Sequence, residues 1–236
     1  MITILYPTRG RPHAMMASIL SVMSTSSGKF PIEIIFAVDD DDANTLAVLN
    51  GEHFKQVFAK YHWVSHRVEV FKRLGYNRLN EYLNATAPLA KHDLIWFWND
   101  DASMMTRDWD VMVEPYRDFP GTIKIQTVNH QHLHPELPIV HKSWLDNFGC
   151  FSPITYSDSW ISLICCYLGN AMVTVPAFFY HHRGPDMPIP DSSNDRKDPT
   201  NPQDVLHPKN QLAIQQARPV IFEQCKKYWE SKVLPC

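Results

Sequence analysis

Apolar positions along the chain fall into two alternating rhythms. Residues 2–6, 32–38, 68–71 and 94–98 are short runs of Ile, Leu, Val, Phe and Trp bounded by charged or turn-forming residues. Their length and β-branched and aromatic content predict buried strands. Between them Met15, Met16, Ile19, Leu20 and Met23 recur at helical spacing and predict a helix over 12–25. Further helices are predicted from Asn44 and over 77–86. Strands alternating with helices predict an α/β fold, a mostly parallel central sheet with helices on both sides. The second half is less regular. It predicts helices over 108–116, 158–168 and 209–230, the last kinked or broken at Pro219, and strands over 123–128, 173–175 and 178–180. Residues 184–205 are rich in Pro, Asp, Asn and Ser and predict a mobile loop.

Composition narrows the class. A chain of 236 residues with 44% hydrophobic residues suits one packed domain and excludes disorder. The net charge of −3 gives no global basic field of the kind that advertises nucleic-acid binding. The five cysteines (Cys150, Cys165, Cys166, Cys225, Cys236) are odd in number and form no Cys-x-x-Cys pair. That excludes a disulfide scaffold and suggests a reducing, cytoplasmic setting. No signal peptide is visible, and the apolar runs fall short of the ~20 residues that cross a bilayer.

The chemistry is concentrated after two strands. Asp39-Asp40-Asp41-Asp42 follows 32–38, and Asn99-Asp100-Asp101 follows 94–98. Ligands of open α/β sheets bind beyond the carboxyl ends of the strands. Carboxylates crowded there raise one another's pKa unless a cation neutralises them, and Mg²⁺ or Mn²⁺ with phosphate oxygens does that. A helix cap followed by a solvated acidic turn is the plainer reading of either cluster alone.

Further motifs sit around these clusters: Pro7-Thr8-Arg9-Gly10-Arg11-Pro12 after the first strand, Arg78-Leu79-Asn80 before the fourth, Tyr156-Ser157-Asp158-Ser159-Trp160 at a helix start, and Phe179-Tyr180-His181-His182-Arg183 after a late strand. In order and spacing this set resembles the GT-A glycosyltransferases, particularly their family-2-like branch, over residues 1–183. The resemblance implies a nucleotide-sugar-binding and catalytic domain at 1–183. It leaves 184–236 as a mobile loop and a C-terminal helix packed on the same domain. Pro7, Thr8, Arg9, Arg11, Asp39, Asp41, Asn80, Asn99 and Asp100 would then contact the nucleotide-sugar. Asp101 and His182 (preferred to His181) would bind the metal, and Asp158 would be the base. Asn99 departs from the family's Asp-x-Asp, which shifts the metal role to Asp101. The resemblance further implies a divalent metal (Mn²⁺ or Mg²⁺), a UDP-sugar donor, a hydroxyl acceptor and inversion at the anomeric carbon. Compact, free-standing proteins of this kind resemble those of bacteriophages, where one acceptor is a hydroxymethylated pyrimidine in DNA. Lys72, Arg73, Arg78, Arg183, Arg196 and Lys197 would supply the basic patch such an acceptor needs, and the host cytoplasm would be the location.

Other readings stay open at this stage. The acceptor could instead be a glycan or small molecule. Sugar nucleotidyltransferases share the nucleotide-binding half, and a non-catalytic nucleotide-binding module would carry the same loops. His130, His132 and His134 alternate and could share a strand face for Zn²⁺, as in a metal hydrolase. Trp96, Trp98, Trp109, Trp144 and Trp160 flank the candidate segments and suit either core packing or stacking on a sugar or base.

Overall fold

A computed structural model describes residues 1–129, 133–182 and 202–232, with the side chain of Tyr76 left aside. The first half is a parallel sheet of β1 (Ile2–Thr8), β2 (Ile32–Asp39), β3 (Val64–Phe71) and β4 (Leu94–Phe97). β1 lies between β2 and β4, and β3 lies outside β2. All eight residues of β2 are buried, as expected of a parallel strand covered on both faces. Helix α1 (Pro12–Thr25) begins with proline at its first turn, where the missing N–H costs nothing, and buries Met15, Ile19, Val22 and Met23. Then come α2 (Ala43–Asn50), α3 (Glu52–Phe58) and α4 (Leu79–Thr86).

The second half adds β5 (Ala102–Met104), α5 (Trp109–Val113), β6 (Thr122–Thr127), β7 (Ile139–His141), α6 (Ser143–Phe148), α7 (Ser157–Cys165), β8 (Met172–His181) and α8 (Pro208–Lys232). The eight strands form one sheet in the order β3-β2-β1-β4-β7-β6-β8-β5. β7 is antiparallel to both β4 and β6, and β6 is parallel to β8. Two reversals restore direction, so β6 and β8 run the same way as β1, β2 and β4. Their carboxyl ends therefore share one edge. β5 is antiparallel to β8 and starts at that edge, with Ala102 opposite His181. Three strands separate β4 from β5 in the sheet, yet residues 98–101 join them in sequence. The sheet must curl to close that gap, and Trp98 accordingly meets Phe179 of β8, their ring centroids 5.5 Å apart.

The α/β sheet predicted from the sequence is thus the fold observed, with differences of detail. β5, β7 and α6 are not in the prediction, and each is too short to show a period. The two short strands predicted at 173–175 and 178–180 are one strand. Pro176 is accommodated because the pairing with β6 shifts register between Lys124 and Gln126, the kind of irregularity where a proline is tolerated. α8 is one helix that contains Pro219, so of the two readings at that proline the break is not the one observed. It docks by Ile214, Ala217, Ile221 and Cys225, and the Arg218 guanidinium donates to Leu163 O at the end of α7, at 2.8 and 3.0 Å.

Trp96, Trp98, Trp109 and Trp144 are fully buried, and Trp160 is 3% exposed. Trp96 packs against Trp98 and Trp109 with ring centroids 4.6 and 4.9 Å apart. These rings are core, and the stacking role considered for them is not available. Cys150, Cys165, Cys166 and Cys225 are free thiols. No helix among the described residues is long and apolar enough to cross a membrane.

Candidate functional site

The shared edge gathers the loops after β1, β2 and β4 and the end of β8. Arg9 sits between the first two. Its Nη1 donates to Asp39 Oδ2 at 2.8 Å, and the guanidinium also forks onto both oxygens of Asp41. That pairing pushes the Asp41 carboxyl below its ordinary range. Gly10 takes a left-handed φ of 69°, which glycine adopts without strain. Its N–H donates to Asp42 Oδ2 at 2.7 Å, while Asp42 Oδ1 caps α2 by accepting from Thr45 N. Arg11 reaches the other way and forks onto Asp100, which also accepts from Thr8 Oγ1 at 3.2 Å. Asp100 is 4% exposed. Burial pushes its pKa up to about 6 against the pull of Arg11. The β1 loop is therefore laced to both acidic loops by guanidinium–carboxylate forks, the geometry in which arginine surpasses lysine. Pro7 is the penultimate residue of β1, opposite Ala37.

Asp39 is buried and receives a second donor, the hydroxyl of Tyr82 from α4, which in turn accepts from Leu74 N at 2.9 Å. Burial, with Asp39 beside it, pushes the Tyr82 phenol up to about 12. The same helix carries Asn80, expected at the nucleotide. Its amide is engaged inside the protein: Nδ2 donates to Ser152 O at 3.4 Å and Oδ1 accepts from Thr155 Oγ1 at 3.4 Å. Asn84 adds a donor to Ser152 O and accepts from the backbone of Phe151 and Ser152. α4 thus braces residues 151–155, the segment that leads into α7. Asp158 lies in the first turn of α7, half-buried. The N-cap position belongs to Tyr156, with no side-chain cap bond, so Asp158 is not the cap of its helix.

At the far end of the edge, His181 is the last residue of β8 and His182 follows it, the first buried and the second exposed. His181 is fully buried and its Nε2 lies 3.2 Å from Asp101 Oδ1. His182, preferred from the sequence, is exposed, and its Nε2 pairs with Ser103 Oγ at 2.8 Å. The geometry therefore brings the ring of His181, not that of His182, to the Asp101 carboxylate, while His182 N donates to Asp101 O at 2.6 Å. The other His181 nitrogen, Nδ1, lies 2.8 Å from Glu136 Oε2, a residue for which the sequence offered no pattern. Asn99 has its side-chain oxygen buried without a hydrogen-bond partner, while its backbone carbonyl accepts from Ser18 Oγ.

Among the described residues no three His, Cys, Asp or Glu groups are arranged to hold a metal. The Asp101–His181 pair nonetheless suits a small divalent cation. An ionised carboxylate only accepts, so in neutral His181 the single ring proton belongs on Nδ1, toward Glu136 at 2.8 Å, and the Nε2 lone pair then faces Asp101; an imidazolium would donate to both. In the neutral tautomer two acceptors face one another, an arrangement that a cation bridges. Mg²⁺ and Mn²⁺ sites commonly use one or two protein ligands and complete their shell with substrate phosphates and water.

Several expectations fall elsewhere. His130, His132, Arg183, Arg196 and Lys197 lie outside the described residues, as does most of the loop predicted at 184–205. Arg73 lies 3.7 Å from Asp41, and Arg78 pairs with Glu81. Lys72 is exposed.

No protein-family model matches the sequence, and no curated protein matches it. Solved structures do match in shape. TarS of S. aureus, as its fragment 1–349, superposes with a TM-score of 0.54 over 76% of this chain at 16% identity, and the same fragment has been solved in complex with UDP. The mannosyltransferase PcManGT from Pyrobaculum calidifontis, in complex with GDP-Man and Mn²⁺, gives a TM-score of 0.58 over 100% of this chain at 12% identity. This chain spans 60% of the TarS fragment's length and 76% of PcManGT's. The α/β fold built here is the one that TarS and PcManGT share.

Proposed function

We propose that this protein is a metal-dependent, inverting glycosyltransferase that moves a sugar from a nucleotide-sugar to a hydroxyl. The observation that carries this reading is the meeting of Asp101 with His181, 80 residues apart in sequence, at the edge where Asp39, Asp41 and Asp100 also converge. The fold is shared with proteins solved with UDP, or with GDP-Man and Mn²⁺. That likeness supports a nucleoside diphosphate donor, for which UDP is our first choice.

In this reading Asp101 and His181 would hold a divalent cation, which would supply charge neutralisation for the departing diphosphate. Arg9 and Arg11 supply cationic edges to the phosphates or ribose, held in place by Asp39, Asp41 and Asp100. Asp158 takes the proton of the attacking hydroxyl at its carboxylate. A single base acting from the face opposite the leaving group gives inversion. Residues 1–183 form the catalytic domain, and α8, within 184–236, supports it by packing on α7. The basic residues proposed to track DNA find less support: Arg73 and Arg78 are paired with acids. The acceptor is accordingly assigned only as a hydroxyl, with a hydroxymethylated pyrimidine one member of the panel to test.

The test is release of nucleoside diphosphate from UDP-, GDP-, CDP-, ADP- and dTDP-sugars with Mn²⁺ and a panel of hydroxyl acceptors. Release from one donor class, stopped by EDTA, is the expected result. Release from none, across the whole panel, would contradict the assignment.

A further inference from the structure

Glu136 has no role in the reading so far, yet its position is closely determined. It lies between Pro135 and Pro138 in the segment before β7, with only 4% of its surface exposed. Burying a carboxylate is costly unless donors meet it, and two do so on one oxygen. Oε2 accepts from Thr127 Oγ1 at 3.1 Å and faces His181 Nδ1 at 2.8 Å. The backbone of His181 is pinned independently. His181 N donates to Asn129 Oδ1 at 3.1 Å, and Asn129 Nδ2 donates back to His181 O at 2.7 Å. The ring's remaining freedom is rotation and choice of tautomer, and Glu136 constrains both. With the proton on Nδ1, the lone pair is on Nε2, the atom that faces Asp101.

We propose that Glu136 is the positioning residue of the metal site, orienting His181 and raising its basicity through Nδ1 so that Nε2 and Asp101 close on one divalent cation. This deepens the glycosyltransferase reading and rests on it for the cation. A carboxylate behind a ligating histidine fixes its tautomer, and loss of such a partner costs ~10–100-fold in metal affinity. A buried Glu–His pair that merely stabilised the fold would instead lower the melting temperature and leave metal affinity alone.

The experiment is a titration with Mn²⁺ alone, followed by the paramagnetic resonance of the free ion. It compares the unaltered protein with Glu136→Gln, Thr127→Val and His181→Ala, with melting temperatures measured without metal. Glu136→Gln keeps the volume but loses the charge, and its Mn²⁺ affinity should fall ~10–100-fold with the metal-free melting temperature little changed. Thr127→Val leaves the carboxylate in place but less firmly held, so the loss should be smaller and in the same direction. If Glu136→Gln does not fold, Thr127→Val carries the test. Unchanged affinity in the folded Gln variant, or in Thr127→Val when it stands alone, overturns the role of Glu136. If His181→Ala binds Mn²⁺ as well as the unaltered protein does, or if the unaltered protein binds none, the metal site itself is wrong. Weakening by His181→Ala with none by Glu136→Gln refutes the positioning role alone.

Discussion

Replacing Asp158 by Asn lowers sugar transfer by roughly 10²–10⁴-fold, the range that a positioned general base contributes, and leaves donor affinity unchanged. The argument rests on where the residue sits. It occupies the first turn of α7, and its start is fixed from behind by Asn80 and Asn84 of α4. Because Tyr156, not Asp158, holds the N-cap position, the substitution removes no helix cap. Steady-state rates with saturating donor, together with donor binding by calorimetry, separate the outcomes. Turnover within a few-fold of the unaltered protein would remove Asp158 from the mechanism. It would favour a nucleotide-binding module or another base.

Asp101→Asn should show a large loss of a different kind, because it acts before chemistry. The proposed site has two protein ligands, and this change leaves one imidazole and a neutral amide. A cation that polarises a departing phosphate contributes several kcal/mol, so transfer should fall at least ~10³-fold at fixed Mn²⁺. Part of that loss should return as Mn²⁺ is raised, since a weakened site fills by mass action. Asp158→Asn should show no such recovery. Identical behaviour of the two variants across a metal titration would mean that Asp101 is not a ligand.

The first half of the fold was legible because its strands are continuous apolar runs and its helix α1 has clean spacing at Met15, Ile19 and Met23. The strands β5 and β7 were hidden by their length of three residues, too short for any alternation to register. The choice between His181 and His182 turned on the parity of β8. Inward Val175, Ala177, Phe179 and His181 alternate with outward Phe178 and Tyr180, but aromatic side chains on both faces erase the polar half of the pattern. A one-residue slip exchanges every side chain between faces, so the sequence does not show which of the two histidine rings turns to Asp101.

Chemistry that depends on distant pairing was less visible. The acidic clusters after β2 and β4 stood out by position. That Arg9 would fork onto Asp39 and Asp41, and Arg11 onto Asp100, required the parallel register of β1 with both neighbours. The resemblance implies Asn80 at the nucleotide, and its bonds to Ser152 O and Thr155 Oγ1 are not legible in the sequence. Glu136 is a lone acid between prolines and acquires meaning only when β6, β8 and the segment before β7 are brought together. The tryptophans mislead for a different reason. An aromatic ring next to a site motif reads alike whether it faces ligand or core, and Trp96, Trp98 and Trp109 pack on one another in the core.

The most direct test of the central claim is the melting temperature of the purified protein with Mn²⁺ and UDP, GDP, CDP, ADP or dTDP, each with and without EDTA. A ligand at a hundred times its dissociation constant adds about 2.7 kcal/mol to the folded state, a rise of roughly 5–10 °C for a domain of this size. The account predicts that rise for one diphosphate, UDP first, and its loss with EDTA. An unchanged melting temperature across all five nucleotides would contradict it.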